Sequence, residues 1–142
     1  NSGAKNLIKT LKKHNFKTAL VSGGFSFFAD EIKNILDFDY VFSNTLEIKK
    51  NCLTGKLLGP IIDGDAKKDI LREISNINGI NIADTIALGD GANDIPMIET
   101  AGLGVGYHSK PKLKKAAKVN INNGDLTSIL YLQGFKKNEF EN

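Results

Sequence analysis

Short apolar runs of strand length alternate with amphipathic helical stretches along most of this chain, and the runs end in glycine or polar residues. That rhythm builds a parallel sheet with helices on both faces, because strands lying parallel need a crossover between them that a helix supplies. Strands are predicted over 17–21, 40–42, 85–88, 104–107 and 119–121. Helices are predicted over 4–14, 25–36, 65–77, 95–101, 112–117 and 125–132, the one over 65–77 with an acidic N-cap. Phe27, Phe28, Ile32, Ile35 and Leu36 mark the predicted inner side of the second helix. Residues 45–58 alternate around the polar tip Lys49-Lys50-Asn51, which predicts a β-hairpin inserted at the sheet edge. The expected fold is α/β: a doubly wound, Rossmann-like parallel sheet. With no repeat, linker or low-complexity segment, 1–135 reads as one unit and 136–142 as a polar tail expected to fray.

Composition narrows the function classes. Apolar residues at 41% and charged residues at 25% are ordinary for a folded, water-soluble domain. One cysteine, Cys52, excludes an internal disulfide framework or a multi-cysteine zinc site, and two histidines, His14 and His108, argue against a histidine-built one. The net charge of +3, with Arg72 the only arginine, is too mild for a nucleic-acid reader. The lysines over 110–118 read as the solvated face of a short helix. No apolar run is long enough to span a membrane and the first residues carry no signal-peptide stretch, so the cytoplasm is the expected compartment. Lacking an initiator methionine, the chain is expected to begin inside a longer protein. The oligomeric state is not legible.

Open sheets of this class bind ligands beyond the carboxyl ends of their strands. Three such turns carry candidate chemistry. At Val21-Ser22-Gly23-Gly24-Phe25 a hydroxyl and successive backbone N–H groups can cradle a phosphate; the plain alternative is a glycine turn opening a helix. At Gly89-Asp90-Gly91-Ala92-Asn93-Asp94 a buried strand delivers two carboxylates and an amide to one turn. Hard oxygen donors suit Mg²⁺, and two carboxylates so close are costly without a cation or donors to hold them. At Asp65-Ala66-Lys67-Lys68 a lysine stands in a helix's first turn, against the dipole. A phosphate partner for Lys67 would explain it; so would two lysines pointing into solvent.

Together and in this order, the three turns resemble the haloacid dehalogenase-like phosphatases. Ser22 matches the family's second motif, Lys67 its third and Gly89 to Asp94 its fourth. Within that family, the VSGGF, LTG, GDGANDIPM, KPK and DLTSILYLQGF stretches resemble the phosphoserine phosphatases, over nearly the whole chain from Gly3 to Phe135. The resemblance implies an Mg²⁺-dependent phosphomonoesterase, acting on phosphoserine in the last step of serine synthesis through an aspartyl phosphate. It implies Asp90 as a metal ligand and Asp94 as a support of the metal site from behind. Lys67, Ser22, the Gly23 N–H and Asn93 would bind the phosphoryl oxygens.

The family's first motif, Asp-x-Asp-x-Thr/Val, supplies its nucleophile and general acid/base, and nothing before Ser22 fits it. The cap that recognises the serine moiety is not found either. By resemblance the chain is the C-terminal part of a catalytic core, without first strand and cap and inactive alone. A missing central strand would also leave unpaired sheet edges and an exposed apolar strip. Asp37 and Asp39 have the Asp-x-Asp spacing but follow a helix and lie after Ser22; Asp63 and Asp65 have it too, in what the resemblance makes the loop leading to the lysine, where a turn with an N-cap accounts for them. The alternatives are a phosphatase of the same family with another small phosphate ester, or a non-catalytic domain binding phosphate and Mg²⁺. A dinucleotide-binding domain is disfavoured, since no Gly-x-Gly-x-x-Gly follows the first strand. His108 and Cys52 have no assigned role.

Overall fold

A computed structural model of the chain describes residues 1–141. In chain order the elements are α1 (Ala4–Lys13), β1 (Ala19–Phe25), α2 (Ser26–Leu36), β2 (Tyr40–Lys49), β3 (Cys52–Leu58), α3 (Gly64–Ile77), β4 (Ile86–Gly89), α4 (Ile95–Thr100), β5 (Leu103–Tyr107), α5 (Pro111–Ala116), β6 (Val119–Ile121) and α6 (Ser128–Leu132). They form two compact units, one of Asn1–Ile61 with the stretch from Gly124 on, the other Ile62–Asn123.

The first unit holds a sheet in the order β1-β2-β3. β2 is a single strand of 10 residues, parallel to β1 as far as Asn44 and antiparallel to β3 from Thr45 on. The predicted hairpin is present at the sheet edge, and its first arm is the outward continuation of β2. Ser43-Asn44 read as a break because both are polar, yet Asn44 is buried and donates its Nδ2 to the Gly23 carbonyl at 2.8 Å. Lys50 and Asn51, with φ of 53° and 61°, make the tight tip.

α1 buries Leu7, Ile8 and Thr10, and α6 buries Ile129 and Leu130. The predicted inner face of α2 is corrected. Ala29 is its buried residue, whereas Phe27 is 75% exposed, Phe28 62% and Ile35 64%. Apolar periodicity marks a face but does not say whether anything covers it. α6 starts at Ser128 because the Asp125 carboxylate accepts from the Thr127 N–H and hydroxyl and holds the preceding residues in a turn. The tail is tied down, not frayed, as far as Glu141. Its N–H donates to Thr10 Oγ1 at 2.8 Å, its carboxylate pairs with Lys13, and Phe140 packs on Tyr131 with ring centroids 5.0 Å apart. Asn142 lies outside the described residues.

The second unit holds a parallel sheet in the order β4-β5-β6, with Ile86 opposite Leu103 and Gly89 opposite Gly106. Ala87, Met97, Ile98, Ala101 and Leu113 form its core, joined by Leu71, Ile95 and Ala117. Among the described residues β1 pairs only with β2, and β4 only with β5, so each sheet ends in a strand with one unpaired edge. Among the described residues no helix is long and apolar enough to cross a membrane.

Candidate active site

β4 buries Ala87 in the core and releases the chain at Gly89. Asp90 follows at once, and a short 3-10 turn, Ala92–Asp94, folds Asp94 back beneath it. Asp94 Oδ2 accepts the N–H groups of Asp90 at 3.1 Å and Gly91 at 3.2 Å. Its Oδ1 accepts from Lys67 Nζ at 2.6 Å, in an ion pair whose side chains are only 6% and 9% exposed. The turn tolerates no side chain at Gly89, where a Cβ would sit 2.5 Å from Asp94 Cβ.

Lys67 reaches this carboxylate because α3 begins against the turn. Gly64 permits the approach: a Cβ there would lie 2.9 Å from the Asn93 carbonyl oxygen. The N-cap is Asp63, whose side chain accepts from the Ala66 N–H at 2.9 Å. Asp65 lies in the first turn, and the hydrogen bond from Lys68 holds its carboxyl below the usual range. The first-turn lysine that opposes the helix dipole is thus neutralised by a buried carboxylate 27 residues away.

Asp90 is different. Its residue is exposed, and its carboxylate makes no hydrogen bond or ion pair with another described residue. Asn93 is exposed beside it. The residues fit Mg²⁺ in a limited way. Among the described residues no three metal-ligating side chains of the His, Cys, Asp and Glu types converge. Mg²⁺, however, is commonly held by one or two carboxylates with waters and phosphate completing its shell. The Asp90 carboxylate has no partner among the described residues, while Asp94 uses both oxygens to hold Lys67 and the amides of the turn.

Ser22 and Gly23 lie in the first unit. β1 extends through them to Phe25, with its pairing to β2 irregular between Val21 and Phe25. Ser22 Oγ accepts the Gly24 N–H at 2.9 Å, which leaves its proton available to donate. Asn44, which holds the Gly23 carbonyl, escaped the sequence reading; the available signal was a polar residue inside an otherwise alternating strand.

The Asp-x-Asp look-alikes have structural tasks. Asp37, at φ 58°, ends α2 and pairs with Lys12 at 2.5 Å. Asp39 accepts the Thr18 N–H and hydroxyl, each at 2.8 Å. Cys52 is exposed. His108 has a left-handed backbone, φ 45°, and its ring meets Tyr107 edge-on at 4.3 Å.

Residues 1–99 match the haloacid dehalogenase-like hydrolase family. The chain belongs to that family. It is 44% identical over 128 residues to the phosphoserine phosphatase of Lactococcus lactis, covering 90% of this chain and 59% of that protein. Its fold matches a substrate-bound phosphoserine phosphatase with a TM-score of 0.87 at 45% identity, over 92% of this chain and 62% of that one. It also matches an unliganded probable phosphoserine phosphatase from Vibrio cholerae with a TM-score of 0.86 at 41% identity, over 90% of this chain and 40% of that one. The chain thus spans at most about three-fifths of these three relatives. The chain is a partial haloacid dehalogenase-like α/β core, with one mixed and one parallel three-stranded sheet.

Proposed function

We propose that this haloacid dehalogenase-like chain carries the phosphate- and metal-handling part of a phosphoserine phosphatase. The observation that carries the reading is the buried Lys67–Asp94 pair bracing a turn whose Asp90 carboxylate is left free. The likeness to phosphoserine phosphatases supports the choice of substrate. Residues 1–135 would form one partial catalytic core, working in the cytoplasm on a small phosphorylated metabolite.

Phosphoryl transfer demands positioning and charge neutralisation more than covalent help from the surrounding site. Lys67 spends one of its three N–H bonds on Asp94, and the other two would hold phosphoryl oxygens as a point charge. The Asn93 amide would donate to these oxygens as they gain charge, and the Ser22 hydroxyl and the Gly23 N–H would serve as phosphoryl donors, as the resemblance implies. Asp90 would hold Mg²⁺, which when bound supplies charge neutralisation at the phosphate. Asp94 would keep the Asp90 and Gly91 amides in place and Lys67 oriented. The nucleophile would be an aspartate outside these residues. Its carboxylate oxygen would bond to phosphorus as the bond to the serine oxygen breaks, that oxygen taking a proton from the same motif's general acid; water, giving its proton back to that group, would then hydrolyse the aspartyl phosphate. The first acidic residue of this chain is Asp30, so no carboxylate precedes the Ser22 turn.

Thermal melting in Mg²⁺ and inorganic phosphate tests the reading, alongside an assay of phosphate release from phosphoserine. The chain should be stabilised by the two ligands together, lose the Mg²⁺ contribution in Asp90→Asn, and release no phosphate by itself. Equal stabilisation of the wild type and Asp90→Asn would refute the assignment of Asp90. In the whole protein, a panel of phosphate esters should show phosphoserine preferred; a sugar phosphate turned over faster would refute the substrate.

A further inference from the structure

Among the described residues the carboxylate of Asp90 has no partner, so its aim depends on how its peptide units are held. The amide side is held by Asp94 Oδ2. The carbonyl side is held from a different element: Lys110 donates its backbone N–H to the Asp90 oxygen at 2.8 Å. We infer that the turn between β5 and α5, residues 108–110, is a positioning element for Asp90, acting through the main-chain amide of Lys110 and not through its side chain. This rests on the reading of Asp90 as the Mg²⁺ ligand.

Several observations make that turn a built feature. Gly89 and Gly106 are register partners at the ends of β4 and β5, so the two turns leave the sheet side by side. The His108 N–H donates to the Ile121 carbonyl at 2.9 Å, which ties the turn to β6. Ser109 Oγ donates to Asn120 Oδ1 at 3.1 Å, and Asn120 Nδ2 donates to the Lys114 carbonyl at 2.9 Å. One side chain of β6 thereby braces both the turn and α5. His108 accepts a left-handed backbone, φ 45°, that a residue with a Cβ adopts at a cost. Such conformations persist where the surroundings over-determine them. Here the surroundings are two hydrogen-bonded anchors, and the outcome is that the next N–H but one points at Asp90.

The backbone supplies a clean test. Lys110 already has φ −66° and ψ 156°, the values a proline prefers, and it precedes Pro111 as the cap of α5. Lys110→Pro removes the single N–H and keeps the carbonyl that Lys114 uses; Lys110→Ala keeps the N–H and removes the charge. The Asp90 oxygen then turns to water, since the residue is exposed. Amide hydrogen exchange at Asp90 and Gly91, read by NMR without metal, should be about 5-fold faster in Lys110→Pro and unchanged in Lys110→Ala. Mg²⁺ titration of the same proteins should show affinity lowered about 10-fold in the proline variant alone. Exchange rates within twofold of the wild type in Lys110→Pro would overturn the inference, and so would an equal acceleration in Lys110→Ala. If Lys110→Pro does not fold, Asn120→Ala, which cuts the brace and keeps every amide, should show the same acceleration; its absence overturns the inference. If Asp90→Asn leaves the Mg²⁺ titration unchanged, the metal reading fails, while the metal-free exchange data still decide the role of the turn.

Discussion

Replacing Asp94 with asparagine removes one negative charge and changes the shape of the second unit very little. Lys67 then sits in a site where its side chain is 6% exposed, and its 2.6 Å partner no longer carries a charge. Breaking a buried pair from one side costs ~3–5 kcal/mol, because the remaining charge has lost its water and gained nothing. The two partners are not equivalent, however. Lys67→Met leaves Asp94 with two backbone donors at 3.1 and 3.2 Å, so its carboxylate remains partly satisfied. That substitution should cost about 1–3 kcal/mol, the range for a buried group that loses one partner among several. Urea unfolding followed by circular dichroism measures both, and the double variant closes a cycle whose coupling term isolates the pair. Asp94→Asn should lower the unfolding free energy more than Lys67→Met, with a coupling above about 1 kcal/mol. A loss under about 1 kcal/mol for Asp94→Asn, or the reverse order of the two, would refute the claim that this pair is buried and interdependent.

Three other outcomes are expected. Gly89→Ala places a methyl 2.5 Å from Asp94 Cβ and should cost about 1–3 kcal/mol in the same urea assay, whereas an alanine tolerated there would contradict the close packing of the turn. Asp39 is pushed up by burial but held lower overall by the Thr18 N–H and hydroxyl and by the charges of Lys12 and Lys17. A lowered folded-state value means stability present above the unfolded pKa of about 4 and lost as pH falls through the folded one, so Asp39→Asn should flatten unfolding free energy against pH in that acid window. Asp37→Asn removes an ion pair in which the aspartate side chain is 84% exposed, at a left-handed position that asparagine accepts well. Its melting temperature should stay within a few degrees of the wild type, and a large drop would show that Asp37 carries more than a helix end.

Turn chemistry and apolar period are local properties, and they were readable before any fold was known. The run Thr85 to Leu88 before Gly89 announces a strand, and Gly89-Asp90-Gly91 with Asn93-Asp94 announces a turn bearing two carboxylates, because each depends only on neighbours in the chain. The class of the sheet follows from the order of such segments. What the sequence does not contain is which polar groups meet. Lys67 and Asp94 are 27 positions apart and find each other only because Gly64 lets α3 start against the turn of β4. The resemblance implied Asp94 as a support behind the metal site, and only the fold shows which groups it holds: the Lys67 ammonium and the Asp90 and Gly91 amides. Asn44 looked like a break in a strand and is a buried donor that holds the Gly23 carbonyl. In α2, period identified an apolar face, but the fold left Phe27, Phe28 and Ile35 exposed. Burial and pairing are decided by close approach between distant segments, and packing, unlike propensity, has no local signature to read.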